Sequence, residues 1–323
     1  MNKLLEVKNL KKWFPVKNYS LTGKKAYIKA VNDVSFTIEA GESFGIVGES
    51  GCGKSTLGRT ILKLIQPTDG SVIFDGADIT RYDNKQMRSV RRNMQIMFQD
   101  PYASLDPRMT IANIIAEPID TMKAVKDSEE RLSRVVELME VCGINKAFLN
   151  RYPHEFSGGQ RQRIGIARAL SVMPKLVVCD EPVSALDVSI QSQIINLLVD
   201  LRRRYNLTLI FISHDLGVVE YISNRVMVMY LGKIIEVADK KELFSNPAHP
   251  YTKALLLSIP RIGERKFEDE NTVLEGDIPS PVNPPSGCTF HTRCPEVCAQ
   301  CMSVVPALKP VKDGHLVSCI KLN

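Results

Sequence analysis

The sequence predicts an α/β fold built around a parallel sheet, and three segments carry that prediction. A short apolar run, Phe44 to Val47, is followed by a glycine-rich loop and then by apolar residues at helical spacing. A second apolar run, Leu176 to Cys179, ends in two carboxylates. The residues after Ser157 again repeat with helical spacing. Buried strands that alternate with helices are typical of parallel sheets, so we expect one such sheet in the core.

Composition places the chain among ordinary globular proteins, since 44% of its 323 residues are hydrophobic and 24% are charged. The formal net charge is +6, but no block of basic residues is long enough to bind nucleic acid, so no nucleic-acid partner is expected. The first residues lack the apolar core of a signal peptide, and no window approaches the roughly 18 apolar residues of a membrane span. We therefore expect a cytosolic protein that reaches a membrane only through a partner.

The segment GESGCGKST, residues 48–56, fits a phosphate-binding loop because it lies between a strand and a helix. Its glycines permit turns that let successive N–H groups converge on phosphate oxygens, and the following helix adds its positive end. Lys54 can reach the β- and γ-phosphates, and the Ser55 hydroxyl can bind Mg²⁺. Cys52 is interpreted as a bystander. The candidate nucleotide-binding residues of the loop are Gly48, Glu49, Ser50, Gly51, Cys52, Gly53, Lys54, Ser55 and Thr56.

Two acidic residues end the second strand, and ligands of open α/β sheets bind at such strand ends. Asp180 is expected to hold Mg²⁺ through water. Glu181 is expected to be the general base that polarises the attacking water. An acidic strand end is common by itself, so this assignment depends on the phosphate loop elsewhere in the chain.

A second anion site is predicted in the segment HEFSGGQRQRIGIARAL. Ser157 is a natural N-cap, and Gly158 and Gly159 leave amide groups bare at the start of the following helix. A single chain does not need two phosphate-binding helix ends around one nucleotide. In two chains that face each other head to tail, each nucleotide would be bound by one helix end from each chain.

The chain resembles the ATP-binding cassette (ABC) ATPases across roughly residues 1–240. GESGCGKST is similar to their Walker A loop, FSGGQ to their signature and LVVCDE to their Walker B strand. SALD, which ends at Asp187, is similar to their D-loop. Gln99 matches the Q-loop glutamine and His214 the switch histidine. The signature departs from the family only at Phe156, where leucine is commoner.

The resemblance implies a P-loop cassette with a parallel core sheet, an antiparallel β subdomain and a helical subdomain at about residues 103–172 that carries the signature. The helical spacing of DSEERLSRVVELMEVCGI fits that subdomain. Two further segments, GSVIFDGADI and RVMVMYLGKIIEVADK, predict hairpins around glycine turns.

The resemblance also implies roles for the motif residues. ATP would lie on the phosphate loop and be closed over by the signature of a partner, which in this chain is Ser157, Gly158, Gly159 and Gln160. Glu181 would deprotonate water, His214 would contact the γ-phosphate, and Gln99 would sense Mg²⁺ close to the membrane subunit. Mg²⁺ would be held by Ser55, Gln99 and Asp180. Alignment favours Phe14 as the aromatic that stacks on adenine, with Trp13 and Tyr27 as competitors.

Residues 241–323 resemble the C-terminal extension of the peptide-permease ATPases, the dipeptide and oligopeptide importers with nickel-uptake relatives. NPAHPYTKALL and the segments GCTFHTRCP and GHLVSC carry that match. The implied partners are a second, related ATPase subunit, two membrane permease subunits and an external peptide-binding protein, with this chain on the cytoplasmic face of the membrane. A nickel importer and a non-transport cassette ATPase are alternatives. The latter tends to show tandem cassettes or a long coiled-coil insertion, which this sequence lacks.

Five of the eight cysteines lie between Cys288 and Cys319. In a reducing compartment, all-thiolate sites suit an iron–sulfur cluster or zinc, although paired zinc knuckles are missing. Unligated core cysteines are a third interpretation. The resemblance selects four of the thiols as ligands of a [4Fe–4S] cluster and leaves Cys298 out. The four are Cys288, Cys294, Cys301 and Cys319.

We expect this cluster to staple a tail whose own apolar content could not fold it, without a role in hydrolysis. His315 is expected to be a loop hydrogen-bonder rather than a metal ligand.

Overall fold

The computed structural model describes residues 3–16, 26–258 and 276–322. The segment RIGERKFEDENT, residues 261–272, has the composition of a charged linker and lies outside the described residues. The strands, in chain order, are β1 Lys3–Val16, β2 Ala26–Glu39, β3 Ser43–Val47, β4 Asp69–Phe74, β5 Ala77–Asp78, β6 Met94–Met97, β7 Leu176–Asp180, β8 Thr208–Ile212, β9 Arg225–Tyr230, β10 Lys233–Asp239, β11 Lys309–Lys312 and β12 His315–Val317. The α-helices are α1 Lys54–Ile61, α2 Asn84–Arg91, α3 Pro101–Ser104, α4 Ile111–Met122, α5 Ser128–Val141, α6 Gly158–Leu170, α7 Val188–Tyr205, α8 Leu216–Ile222, α9 Lys240–Ser245 and α10 Pro250–Leu257.

The chain divides into two compact units. One comprises Glu39–Glu42 and Arg81–Ile212 and is called here the signature unit. The other comprises Lys3–Ile38, Ser43–Thr80 and Ser213–Asn323 and is called the phosphate-loop unit.

The signature unit contains three parallel strands in the order β6, β7, β8. Every residue of β7 and β8 is buried, which explains why both read as continuous apolar runs rather than as alternating ones. Helices α4, α5 and α6 pack against one another, and α6 also packs on β6 and α7. The strand predicted before the acidic pair and the helices predicted after Asp127 and Ser157 are confirmed.

The phosphate-loop unit contains an antiparallel sheet in the order β2, β1, β4, β5. Its β4–β5 hairpin and the separate β9–β10 hairpin are the two predicted from glycine turns, and both are antiparallel. Strand β3, which leads into the phosphate loop, pairs in parallel with β9. The core sheet is therefore mixed in this unit, because the β9–β10 hairpin continues it antiparallel.

The C-terminal extension continues the same sheet. Strand β12 pairs antiparallel with β10, and β11 pairs with β12. Helices α9 and α10 pack on β10. Residues 276–288 form neither helix nor strand, which fits their high content of proline and glycine. Two apolar side chains of the tail, Phe290 and Val317, are fully buried. The tail therefore folds by adding to the cassette sheet, so the expectation that its apolar content could not fold it overlooked this shared core.

In the described part of the chain, no helix is both long and apolar enough to cross a membrane.

Candidate functional site

The phosphate loop joins the end of β3 to the start of α1, and its glycines are required by its shape. Gly48 has φ 148° and Gly53 has φ 106°. A Cβ at Gly48 would overlap the backbone oxygen of Met229, and a Cβ at Gly53 would overlap that of Ala30. Because Gly53 is also the N-cap of α1, no side chain competes for the first amides of that helix at this position. The helix start is thus open to an anion.

Lys54 is buried and folds back across the loop. Its ammonium group donates to the backbone oxygens of Gly48 at 2.8 Å and of Glu49 at 3.0 Å. The thiol of Cys52 lies behind it, and burial raises the pKa of that thiol, which keeps it protonated at neutral pH. Cys52 therefore contributes its backbone to the loop and supplies no nucleophile.

Two residues of the C-terminal extension hold Glu49 from behind. The Glu49 amide donates to the hydroxyl of Tyr251 at 3.1 Å. The guanidinium of Arg293 donates to both carboxylate oxygens of Glu49, at 2.8 and 3.1 Å. Sequence reasoning missed both contacts because they join distant residues without any periodic signal. The expectation that the cysteine cluster has no role in hydrolysis concerns other residues and stays a prediction.

The signature unit brings together the predicted Q-loop glutamine and the predicted base. The side-chain amide of Gln99 donates to the Glu181 carboxylate at 3.2 Å. Glu181 has φ 48°, a left-handed conformation that is uncommon for a residue with a side chain. Its amide donates to the backbone oxygen of Ile212, which fixes the turn at the end of β7. Asp180, the last residue of β7, is 1% exposed.

His214 lies in the phosphate-loop unit and is exposed. The amide of Ser213 donates to the backbone oxygen of Ile46 at 3.2 Å, which brings the histidine to the end of β3 where the loop begins. Asp215 caps the following helix, α8. Within this unit, the predicted switch histidine and the predicted phosphate loop therefore share one edge of the sheet.

The signature residues start α6 as predicted. Ser157 and Gln160 form a reciprocal capping box, since the Gln160 amide donates to the Ser157 hydroxyl and the Gln160 side chain accepts from the Ser157 amide. Ser157 and Gly158 are exposed, whereas Gly159 is packed against Ile190 of α7. Asp187, the D-loop residue, is the N-cap of α7.

The aromatic candidates for adenine stacking lie on or beside β1. The ammonium of Lys12 lies over the Phe14 ring, 4.8 Å from its centroid. Trp13 lies 6.3 Å from Tyr27, and the Lys29 ammonium lies 5.1 Å from its ring. Consecutive strand residues point to opposite faces, so only one of these two groups can face the nucleotide. Which one does so stays a prediction.

Several cysteines of the C-terminal extension lie close together. The Cys288 amide donates to the backbone oxygen of Cys301 at 2.8 Å, and the sulfurs of Cys298 and Cys301 are 3.3 Å apart. Burial raises the pKa of Cys294 to about 11. Among the described residues, no three His, Cys, Asp or Glu side chains are arranged to hold a metal ion. The proposed four-cysteine ligand set thus stays a prediction.

His315 forms a hydrogen bond as predicted, but it is the first residue of strand β12 and not part of a loop. Its Nε2 lies 2.7 Å from a carboxylate oxygen of Glu236, a fully buried residue of β10. The same carboxylate accepts from the amides of Ala248 and His249 just before α10. Glu236 therefore ties β12 and the start of α10 to β10.

The comparisons with known proteins agree with this architecture. The family model "ABC transporter" matches residues 31–184, and "Oligopeptide/dipeptide transporter, C-terminal region" matches residues 235–301. The oligopeptide transport ATP-binding protein AppF of Bacillus subtilis (strain 168) is 52% identical over 318 residues, covering 98% of this chain and 96% of that protein. A putative peptide import ATP-binding protein of Brucella ovis is 51% identical over 320 residues, covering 99% and 98%.

Among solved structures, the post-hydrolysis dimer of an ATP-binding cassette bound to ADP and Pi matches with a TM-score of 0.64. Its sequence is 29% identical, and the match covers 73% of this chain and 98% of that one. Fold and motifs together define an ATP-binding cassette ATPase. The chain belongs to the ABC transporter family, in the branch that carries the oligopeptide/dipeptide transporter C-terminal region.

Proposed function

We propose that this protein is the ATP-hydrolysing subunit of an importer of dipeptides and oligopeptides. The observation that carries the proposal is similarity to AppF over nearly the whole of both chains, together with the extension matched at residues 235–301. Residues 1–240 act as the cassette and residues 241–323 as the extension. The subunit lies on the cytoplasmic face of the membrane against two permease subunits. A second, related ATPase chain faces it, and an external peptide-binding protein delivers the cargo.

The phosphate loop holds the triphosphate of ATP. Backbone amides from Gly48 to Thr56 and the start of α1 surround the phosphate oxygens, and the Lys54 ammonium leaves its loop carbonyls for the β- and γ-phosphates. Mg²⁺ prefers oxygen ligands, and the hydroxyl of Ser55 and the amide oxygen of Gln99 would hold it, with the carboxylate of Asp180 acting through water. The ion neutralises charge on the phosphates when bound.

Glu181 takes the proton from the attacking water. Its carboxylate accepts a hydrogen bond from Gln99, and its left-handed backbone is a conformation that is unfavourable for a residue with a side chain and common at active sites, which supports a catalytic role. His214, at the end of β3, contacts the γ-phosphate and stabilises developing charge.

The signature serves the nucleotide of the facing ATPase. Ser157 and Gly158 are exposed, and the amides at the start of α6 carry positive partial charge that favours a phosphate. Asp187 of the D-loop starts the helix packed beneath them. Closure of the two ATPases then drives the permease between its two access states.

Uptake by cells that lack this chain tests the proposed cargo. Labelled dipeptides and oligopeptides should no longer enter, and uptake should return with the wild-type chain but not with Lys54→Ala. Lys321→Gln, a change to an exposed ion pair of the extension, serves as the control and should restore uptake fully. Loss of nickel uptake with normal peptide uptake would overturn the peptide assignment in favour of a nickel importer.

We further propose that Cys288, Cys294, Cys301 and Cys319 bind a [4Fe–4S] cluster, with zinc as the alternative. Support comes from the thiolate donor set and from the Cys288 amide, which donates to the backbone oxygen of Cys301 at 2.8 Å and so brings two of the four residues together. The described side chains do not form a ready-made ligand group, so binding has to reorient them.

Metal analysis of protein purified without oxygen tests this ligand set. Iron and acid-labile sulfide should both be present, should survive Cys298→Ala and should be lost in Cys319→Ala. Stoichiometric zinc without sulfide would contradict the cluster.

A further inference from the structure

An ion pair links the C-terminal extension directly to the phosphate loop. Arg293 lies one residue before Cys294, and Glu49 directly follows the first glycine of the loop. The guanidinium donates two parallel hydrogen bonds to the carboxylate, Nη1 to Oε2 at 2.8 Å and Nη2 to Oε1 at 3.1 Å. A bidentate pair of this kind fixes both position and orientation of the carboxylate.

The pair is shielded from water. The Arg293 side chain is 6% exposed and that of Glu49 is 23% exposed. The guanidinium also approaches the Tyr230 hydroxyl at 3.5 Å and lies 5.9 Å from the centre of that ring. The other ion pairs of the extension that involve Lys253, Lys312 and Lys321 are far more open to solvent. Salt and side-chain motion therefore weaken the Arg293 pair less than those pairs.

An aromatic cluster sets the position of Arg293. Phe290, three residues earlier in the chain, is fully buried and packs edge-on against Tyr230 and tilted against Tyr251, with ring centroids 5.4 and 5.2 Å away. Tyr251 in turn accepts the hydrogen bond from the Glu49 amide. Glu49 is thus held through its side chain by the tail and through its backbone by α10.

The backbone oxygen of Glu49 is one of the two that receive the Lys54 ammonium. A single residue therefore connects the extension to the lysine of the loop. We propose that Arg293 is a positioning residue for the nucleotide site: by holding Glu49, it keeps the loop in the shape that binds the phosphates. This inference rests on the proposed phosphate-binding role of the loop. A loop that is ordered in advance loses less entropy when ATP binds, so affinity depends on the pair.

Two substitutions on the two sides of the pair test the inference by equilibrium ATP binding to the full-length chain. Arg293→Gln and Glu49→Gln should each weaken ATP affinity by about tenfold, comparable to the loss of one charge-assisted hydrogen bond. The double variant should be no weaker than either single variant, because both remove the same interaction. Lys321→Gln, which breaks an exposed pair of the same tail, should bind ATP like the wild type.

Glu49→Gln changes no residue of the extension. It therefore tests the role of the ion pair even if Arg293→Gln destabilises the extension. Arg293→Lys should recover part of the affinity, since it restores charge without the bidentate geometry. Wild-type ATP affinity in both Gln variants, or losses that add in the double variant, would overturn the inference. Lys54→Ala distinguishes failure of this inference from failure of the proposed function. Wild-type ATP affinity in that variant would overturn the assignment of the phosphate loop itself.

Discussion

The helix starts of α1 and α6 are both suited to bind phosphate, yet they are built differently. At α1 the N-cap is Gly53, which leaves the first amides uncovered and allows the loop to turn sharply. At α6 the N-cap is Ser157, which together with Gln160 satisfies its own helix end. If α1 holds the nucleotide of its own chain, as proposed, its start can stay open because the surrounding loop binds the ligand. If α6 binds the nucleotide of a facing chain, as proposed, its start has to be stable in the absence of that nucleotide, and the Ser157–Gln160 capping box provides this stability.

The two helix starts also differ in how neighbouring residues support them. The loop before α1 is held from behind by Tyr251 and Arg293, both in the C-terminal extension. The start of α6 is exposed, and a side chain of α7, Ile190, packs under Gly159. The comparison suggests that a preformed nucleotide site needs rigid support, whereas a surface offered to a partner needs access.

The largest effect is expected for Glu181→Gln, which leaves both helix starts intact. ATP binding should persist while turnover in the assembled importer falls by about 10²–10⁴, because the amide cannot accept the proton. Steady-state ATPase assays measure the loss, with the exposed Glu137→Gln as control. Turnover within about a factor of two of wild type would remove Glu181 from the role of base.

Substitution of one glycine at each helix start sharpens the comparison. An alanine Cβ at Gly53 would overlap the backbone oxygen of Ala30, which cannot move easily. Gly53 also has a positive φ, which is unfavourable for alanine. At Gly159, a residue within α6, it would overlap the Cγ2 methyl group of Ile190, and a shift of that side chain could relieve the overlap, whereas the backbone oxygen of Ala30 has no such freedom. Gly53→Ala should therefore destabilise the protein by about 3 kcal/mol or more and prevent ATP binding, while Gly159→Ala costs ~1 kcal/mol. Urea denaturation with ATP titration measures both, and equal effects would contradict the difference in rigidity.

The smallest effect is expected for the hydrogen bond between His315 and Glu236 in the C-terminal extension, and it depends on pH. The hydrogen bond to Glu236 raises the pKa of His315 above its ordinary value of 6.5. Because the folded pKa is the higher one, this interaction stabilises the fold fully below about pH 6.5 and is lost as the pH rises through the raised pKa. Burial lowers the pKa of His249 to about 4, so its contribution has the opposite sign: it is present above pH 6.5 and is lost as the pH falls toward 4.

His315→Gln isolates the first of these contributions. The variant should be less stable than wild type by ~1 kcal/mol at about pH 6, and the gap should narrow at about pH 9. Thermal unfolding at both pH values checks this. His154→Gln, an exposed histidine of the signature unit, should show no such dependence. A gap that widened with pH would contradict the assigned pair.

Sequence patterns predicted the features whose determinants are local. The phosphate loop, the Ser157 cap and both glycine hairpins depend on residues within one short segment, so their chemistry can be read from that segment. The contacts of Glu49 with Arg293 and Tyr251 could not be predicted in this way, since each joins residues about 200 or more positions apart with no shared period. The same holds for the pairing of β12 with β10, which gives the tail its core.

The assignment of two helix starts to two different nucleotides is tested most directly by ATP binding to the isolated chain. Lys54→Ala changes the chain's own phosphate loop, and Ser157→Arg changes the surface proposed to contact a facing ATPase. ATP affinity should fall by about 10- to 100-fold in Lys54→Ala and stay within about twofold of wild type in Ser157→Arg, although both variants abolish hydrolysis in the assembled importer. A loss of affinity in Ser157→Arg as large as that in Lys54→Ala would place the signature in the chain's own site and contradict the head-to-tail arrangement.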